Sequence, residues 1–235
     1  METILLPTDF SKNSLNAIDF AMKMFKETNC TFYILNIQKA SSFVSDDLMT
    51  ASPSVNLYQA IINTAKKSLD NLIKSVKSKY KNSRHELIPI IDYDNFIDAI
   101  NQMCEASKID LIVTGTKVNS GLEKVVFGSN TLRVMQRGIV PVLAIPYNYK
   151  YKKFNRIVFL NYLTQYKTED LLTLFKIIRF YNSKVDIIHV SQGELLTQDQ
   201  ERNVRLINNL FAETPNKFID LKGEDVFKEV NYFIK

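Results

Sequence analysis

The stretch DLIVTGTKVNSGLEKVVFGSNT, residues 110–131, joins a short apolar run to a long loop that contains three glycines. Residues 110–114 are predicted to form a buried strand, and a helix is predicted from about Ser129 to Arg137. A second apolar run, VPVLAIP at residues 140–146, follows that helix and predicts another strand. A strand, a helix and a strand in this order favour a parallel pair joined by a right-handed crossover.

The residues before this stretch repeat the same alternation. Apolar runs predict further strands at residues 3–7, 30–37 and 86–91. The chain is therefore predicted to be an α/β protein, with a five-stranded, mostly parallel sheet and helices on both faces. Pro89 lies within the third strand and has no N–H to donate, so that strand is expected at an edge or at a bulge.

The helices between these strands are predicted from apolar residues at helical spacing. Ser11 is a plausible N-cap of the first helix, whose buried stripe is predicted to consist of Leu15, Ile18, Met22 and Phe25. Residues 39–56 contain many Ser, Asp and Ala residues and are predicted to be a loop. A long second helix is predicted from about Tyr58 to Val76, and a third begins near Phe96.

Three polar or glycine-containing segments follow strands of the predicted sheet. They are Asp9, the turn at residues 36–38 and the loop at residues 115–128. Ligands of open parallel sheets bind beyond the carboxyl ends of the strands. The sequence therefore predicts one ligand site that draws on all three segments.

Composition and charge narrow the class of protein. Hydrophobic residues make up 46% of the 235 residues and charged residues 23%, as in ordinary globular proteins. The formal net charge is +5, but the lysines are spread along the chain, so no nucleic-acid partner is expected. No apolar run approaches a membrane span and nothing at the N-terminus indicates a secretory leader, so we expect no membrane partner.

The cysteines and histidines predict neither a disulfide framework nor a metal site. Cys30 and Cys104 lie in separate apolar segments without CxxC spacing, and His85 and His189 form no pair. We therefore expect no intrinsic metal and a reducing, cytoplasmic location.

A faint internal repeat begins near residue 156. The run IVFLNY at 157–162 matches ILLPTD at 4–9, and VDIIHV at 185–190 matches the second strand. We expect one domain at residues 1–147, a linker at 148–155 and an incomplete, degenerate second copy at 156–235. The natural protein is expected to be longer by about 40–60 residues, the length of the elements that the second copy lacks.

Three motifs in order give the chain a family resemblance. ILLPTDFS at residues 4–11, the loop pattern G-x-x-G-x9-G-[S/T] that starts at Gly115, and RGIVPVLAIP at 137–146 resemble those of universal stress proteins. The resemblance covers residues 3–147 well and 156–235 more weakly, as in tandem-repeat members. It implies an adenine nucleotide alpha hydrolase-like fold.

The resemblance also implies a nucleotide site. Carried over one residue at a time, it falls on Asp9, Ile37, Gly115, Gly128 and Ser129, and the predicted site also includes the adjacent positions Pro7, Thr8, Lys117, Asn130 and Thr131. Gly128 and Ser129 precede a helix, whose free N–H groups and positive dipole end suit a phosphate. Val118 replaces the second glycine of the motif, and a β-branched residue adds bulk and disfavours a positive φ. Tyr162 or Asn161 stands at the position of Asp9 in the second copy, where no nucleotide site is expected.

Two functions remain open at this point. The first is an adenine-nucleotide-binding stress-response or signalling module that takes ATP or AMP, with Mg²⁺ accompanying ATP, and has no strong catalytic activity. The second is a nucleotide-free scaffold that acts through an unknown protein partner, which Val118 favours. An enzyme is disfavoured because the sequence has no Walker A motif, no GxGxxG after the first strand and no nucleophile–histidine pair, although the resemblance leaves slow ATP hydrolysis open.

The last strand of the first copy bears on assembly. In the family this strand commonly pairs with its equivalent in another subunit or in a second repeat. A hydrophobic strand from Val140 to Ile145 at a sheet edge would also promote association. We therefore expect a homodimer through this strand.

Overall fold

The computed structural model describes residues 2–38, 54–118, 125–126, 128–164 and 166–234. They form two compact units, Met1–Tyr151 and Lys152–Lys235, called unit 1 and unit 2 below. No helix among these residues is long and apolar enough to span a bilayer.

Unit 1 alternates strands and helices around one parallel sheet. Its elements are β1 (Thr3–Pro7), α1 (Lys12–Met24), β2 (Cys30–Ile37), α2 (Ser54–Tyr80), β3 (His85–Asp92), α3 (Phe96–Ala106), β4 (Leu111–Gly115), β5 (Lys117–Val118), β6 (Val125–Val126), α4 (Ser129–Arg137) and β7 (Val142–Ile145). The five-stranded sheet has the order β3-β2-β1-β4-β7, and every neighbouring pair is parallel. The predicted fold class is confirmed.

Several boundaries follow from single residues. Pro89 lies in β3, an edge strand of the sheet as predicted, and α4 has the predicted bounds. The strand predicted at 140–146 is shorter, since β7 spans Val142–Ile145 between two prolines. The loop predicted up to residue 56 was wrong at its end because α2 already begins at Ser54, while residues 39–53 lie outside the described residues.

The inner face of α1 differs from the prediction at its first turn. Ile18, Met22 and Phe25 are buried as predicted, but Leu15 is 38% exposed, so its place in the buried stripe was wrong. Ser14 takes the inward position instead, because its hydroxyl group reaches the buried hydroxyl group of Thr8 at 3.0 Å. A polar contact therefore decides which residue of this turn faces the sheet.

On the other face of the sheet, α3 and α4 cover the strands. Their buried side chains pack with those of β1, β2 and β4 in one apolar cluster, which includes Leu5, Leu35, Ile97, Ile100, Cys104, Ile109, Ile112 and Val134. Burying this much apolar surface holds the carboxyl ends of the three central strands side by side.

Unit 2 is a partial copy of the same architecture. Its elements are β8 (Arg156–Leu160), α5 (Thr168–Tyr181), β9 (Lys184–Ser191), α6 (Gln198–Leu210), β10 (Asn216–Lys222) and α7 (Val226–Ile234). The parallel order β10-β9-β8 reproduces β3-β2-β1. Its apolar core lies between the sheet and α5 and α6, with Phe211 and Ile187 fully buried.

The two units share the turn that follows their first strand. The backbone N–H of Thr8 donates to the carbonyl oxygen of Leu35 at 2.8 Å, and that of Asn161 donates to Ile188 at 2.9 Å. Two residues later the backbone is left-handed in both units, with φ of 59° at Phe10 and 56° at Leu163.

This matching register decides which residue of unit 2 stands at the position of Asp9. Asp9 lies between Thr8 and Phe10, so its equivalent lies between Asn161 and Leu163 and is Tyr162. Of the two residues that the sequence left open, the structure therefore selects Tyr162. The carboxylate of unit 1 is replaced by a phenol side chain that is 65% exposed.

Candidate functional site

A cleft of about 140 Å³ opens at the carboxyl ends of β1, β2 and β4 in unit 1. It is lined by Pro7, Thr8, Asp9, Ser11, Asn13, Ser14, Leu35, Ile37, Phe96, Thr114, Gly115, Gly128, Ser129, Asn130 and Thr131. All of the predicted site residues are among them except Lys117, whose side chain lies outside the described part of the structure. Described residues of all three predicted segments therefore lie at this cleft, as expected from the carboxyl ends of parallel strands.

Asp9 presents a carboxylate at the edge of this cleft. The side chain of Ser11 caps α1 by accepting from the backbone N–H of Ser14, and Asp9 Oδ1 accepts from the backbone N–H of Ser11 at 3.0 Å. Partial burial raises the pKa of Asp9, but hydrogen bonds from Ser11 and Ser14 lower it by more, so the net pKa is lowered. Asp9 is therefore ionised at neutral pH and acts only as an acceptor.

Thr8 belongs to the scaffold of the turn. Its hydroxyl oxygen accepts from the backbone N–H of Phe10 at 3.1 Å and shares a hydrogen bond with the hydroxyl group of Ser14. The side chain of Thr8 is buried, and its polar atom is already engaged. Thr8 therefore shapes the cleft, while its hydroxyl group is not free for a ligand.

Gly115 is a glycine because of the helix that packs against it. A Cβ atom at this position would lie 2.3 Å from the backbone oxygen of Asn13 in α1, closer than any real contact. The sequence predicted a glycine that lets a ligand approach, and the structure adds a backbone approach from α1. Thr131 donates its hydroxyl hydrogen to the carbonyl oxygen of Gly115 at 3.0 Å, which ties α4 to β4.

The N-terminus of α4 supplies unsatisfied donors. Its N-cap is Gly128, which has no side chain to cap the helix, and Ser129 and Asn130 are exposed. The first backbone N–H groups of a helix have no partner within it and carry partial positive charge. The first turn of α1 and the first residue of α3 line the same cleft, so three helix N-termini converge on it.

Three residues form an apolar wall of the cleft, namely Ile37, which the sequence predicted, and Leu35 and Phe96, which it did not. Leu35 is a buried residue near the end of β2, and Phe96 is the first residue of α3. Thr114 lies near the end of β4. The strand-end rule applied to every strand and to the helix that follows it would have found Phe96 and Thr114, since both lie at that edge.

Val118 lies in extended backbone. Lys117 and Val118 form β5, which pairs antiparallel with Val125 and Val126 of β6. Extended backbone is the conformation that a β-branched residue favours. The extended backbone at Val118 therefore requires no positive φ, while the effect of its bulk on a phosphate stays a prediction.

Outside the cleft, the described residues include the two cysteines and other side chains of metal-ligating types. Cys30 and Cys104 are buried, and burial raises the pKa of each thiol to about 11. Within the described ranges, no group of three or more His, Cys, Asp or Glu side chains could hold a metal ion.

Comparison with known proteins gives one consistent result. The model of the universal stress protein family matches residues 1–146. Universal stress protein MJ0531 of Methanocaldococcus jannaschii is 29% identical over 149 residues, covering 60% of this chain and 80% of that protein. Universal stress protein A homolog 1 of Coxiella burnetii is 28% identical over 142 residues, covering 60% of this chain and 94% of that protein.

The fold likeness extends over both units. The crystal structure of a universal stress protein from Archaeoglobus fulgidus superposes with a TM-score of 0.67 at 17% identity, covering 94% of this chain and 79% of that one. At this identity the likeness establishes the fold alone. With the family match over residues 1–146, the chain belongs to the universal stress protein family.

Proposed function

We propose that unit 1 binds an adenine nucleotide, ATP or AMP, in the cleft at the carboxyl ends of β1, β2 and β4. The proposal is supported by the convergence of three helix N-termini and one carboxylate on that cleft. Positive dipole ends attract phosphates, while a carboxylate accepts from sugar hydroxyl groups. A nucleotide contains both groups.

The phosphates are assigned to the first turn of α4. Gly128 leaves the backbone N–H groups of Ser129 and Asn130 uncapped, and both residues are exposed. Asp9 is ionised and would repel a phosphate, which places the phosphates away from it. With ATP, Mg²⁺ would arrive with the nucleotide and offset part of its charge.

The ribose is assigned to Asp9 and the base to the apolar wall. A lowered pKa keeps Asp9 in the form that accepts from two hydroxyl groups. Ile37 and Phe96 offer apolar surface at the same cleft. The cleft volume of about 140 Å³ lies below the roughly 300–1,000 Å³ of typical ligand pockets, so we expect the nucleotide to remain partly exposed.

We propose a stress-response or signalling role without strong catalysis, in the cytoplasm. Asp9 is the one ionisable side chain among the described residues that line the cleft. A general base needs a pKa near the working pH, and the pKa of Asp9 is shifted the other way. A cleft lined in this way suits a protein that binds a partner in response to nucleotide better than one that hydrolyses nucleotide.

Calorimetric titration of the wild type and of Asp9→Asn tests the site. The ligands are ATP with Mg²⁺, AMP, adenosine and inorganic tripolyphosphate. We expect Asp9→Asn to weaken AMP and adenosine by about tenfold, since a charge-assisted hydrogen bond contributes about 1.5–3 kcal/mol, and to leave tripolyphosphate unchanged or tighter. Asp98→Asn, an exposed carboxylate of α3 outside the cleft, is the matched control.

Absence of binding by the wild type at millimolar concentrations of all four ligands would contradict the proposal. It would favour the alternative of a nucleotide-free scaffold, for which the small cleft is the motivating observation.

We also propose a homodimer through β7. This strand is an edge of the five-stranded sheet, and three of its four side chains are only half-buried. Hydrophobic edge strands promote pairing with another chain. Light scattering over a dilution series is expected to give the dimer mass at micromolar concentration, and a monomer mass there would contradict pairing.

A further inference from the structure

The turn that carries Asp9 has a backbone conformation that must be held in place. Phe10 has a φ of 59°, in the left-handed region that a bulky residue rarely adopts. Such conformations persist where surrounding contacts over-determine them. The side chain of Asp9 precedes this residue directly, so its direction depends on the same contacts.

One of these contacts comes from the neighbouring strand. Asn36 on β2 is 3% exposed, and its Nδ2 donates to the carbonyl oxygen of Thr8 at 2.7 Å. A carbonyl oxygen can only accept, so the atom that faces it must be the amide nitrogen. Gln38 Nε2 donates to Asn36 Oδ1 at 2.6 Å, which fixes the other end of the amide.

The contact passes to Asp9 through Thr8. Asn36 holds the carbonyl group of Thr8, and the hydroxyl oxygen of Thr8 accepts from the backbone N–H of Phe10. The backbone on both sides of Asp9 is thereby fixed. Asn36 lies outside the lining of the cleft and acts on a ligand only through this turn.

Unit 2 makes the same contact with a different residue. His189 follows Ile188 as Asn36 follows Leu35, and it is 8% exposed. Its Nδ1 lies 3.3 Å from the carbonyl oxygen of Asn161, the equivalent of Thr8. Two chemically different donors at one position indicate that the position serves the turn itself.

We infer that Asn36 is a positioning residue, which holds Asp9 where the ribose of a bound nucleotide would meet it. This inference rests on the proposed function. It assigns a role in that site to a buried residue that does not line the cleft.

Substitutions at Asn36 distinguish the effect of its hydrogen bond from the effect of its side-chain shape. Asn36→Leu removes the donor, and Asn36→Asp keeps the shape but places an acceptor against the carbonyl oxygen of Thr8. Asn36→His restores a donor in the manner of His189. We expect the first two to weaken AMP by about tenfold with tripolyphosphate unchanged within twofold, and Asn36→His to bind AMP within threefold of the wild type.

Amide hydrogen exchange supplies a readout that needs no ligand. The N–H groups of Phe10 and Ser11 donate within the turn, so their exchange is expected to accelerate about tenfold in Asn36→Leu. The N–H of Leu163 is the internal control, because it donates in the equivalent turn of unit 2. It should exchange at the wild-type rate in every variant.

The outcomes distinguish this inference from the proposed function. If the wild type binds AMP and Asn36→Leu binds it equally well, or loses AMP and tripolyphosphate alike, the positioning role is overturned. If the wild type binds no nucleotide, the proposed function fails. Exchange at Phe10 and Ser11 then decides the positioning of Asp9, and unchanged rates in Asn36→Leu and Asn36→Asp overturn it.

Discussion

After their first strand the two units differ in side chains and share the same backbone turn. Asp9 and Tyr162 occupy equivalent positions after the first strand, each followed by a residue with left-handed φ. The side chain of Asp9 is an ionised acceptor, whereas that of Tyr162 is an exposed phenol. The backbone turn is thus common to both units, and the chemistry at its tip belongs to unit 1.

Gly115→Ala is expected to destabilise unit 1. The new Cβ atom would meet the backbone of Asn13 at 2.3 Å, and backbone cannot move aside as a flexible side chain can. Overpacking of this kind costs about 1–3 kcal/mol in the free energy of unfolding. Hydrogen exchange of the α1 and β4 amides in increasing urea measures this loss.

Gly193→Ala is the matched control for that substitution. A Cβ atom at Gly193 meets nothing within 4 Å, and its strain is confined to a backbone φ of 91° in unit 2. The exchange of α1 and β4 amides should therefore equal that of the wild type. A free energy of unfolding for Gly115→Ala within about 0.5 kcal/mol of the wild-type value would contradict the prediction, because α1 would then shift away from the new Cβ atom at no cost.

The sequence was sufficient to place a candidate site residue where that residue lies at the end of a strand. The sequence alone predicted that one edge of the sheet holds Asp9, Gly115 and the residues from Gly128 to Thr131. Leu15 could not be placed, because only the contact between Ser14 and Thr8 reveals which residue faces inward. Asn36 lies in the predicted segment 36–38, but its contact with the carbonyl oxygen of Thr8 was not predicted, because the register between two strands cannot be read from either strand alone.

Among the elements, α1 and α2 are joined by one carboxylate. Asp19 on α1 accepts from Lys23 at 2.6 Å and is also hydrogen-bonded to Lys79 and Tyr80 at the end of α2. Partial burial raises the pKa of Asp19, but these hydrogen bonds lower it by more, to about 2. Burial raises the pKa of Tyr80, and its hydrogen bond to Asp19 raises that pKa further.

The folded-state pKa of Asp19 determines how unit 1 responds to acid. It lies below the value of about 3.9 in an unfolded chain, so the unfolded state takes up the proton first. The stabilisation is fully present above about pH 4 and is lost as the pH falls toward 2. Urea unfolding between pH 5 and pH 2.5 should therefore show a shallower acid dependence for Asp19→Asn than for the wild type.

Asp70→Asn is the control for this experiment. Asp70 is exposed on α2 and has no ion pair in the part of the chain that the structure describes. Its removal should leave the acid dependence as in the wild type. Equal slopes for Asp19→Asn and the wild type would mean that the contact between α1 and α2 contributes no stability.

Element boundaries were predictable where a residue marks them. Pro89 placed β3 at an edge, and Gly128 and Gly138 bracket α4. The start of α2 was not predictable, because the composition of residues 54–56 is that of a loop while the structure continues the helix to Ser54. β5 was also missed, since two residues are too short for any pattern of hydrophobicity.

The whole molecule combines one unit that has the cleft with one that repeats only part of the fold. β10, β9 and β8 reproduce β3, β2 and β1, and the turn after β8 matches the turn after β1. The described part of unit 2 has no counterpart of β4 or α4, and Tyr162 replaces Asp9. We therefore expect a bound nucleotide in unit 1 and none in unit 2.

The most direct test is an amide NMR titration of the whole chain with ATP and Mg²⁺. The amides of residues 8, 9, 11 and 129–131 are expected to shift together with a single affinity, because these residues line one cleft. Those of residues 161–163 should stay in place, since they share the backbone turn but lack the carboxylate. Unchanged signals throughout at millimolar ATP, or shifts confined to residues outside the cleft, would contradict a nucleotide site in unit 1.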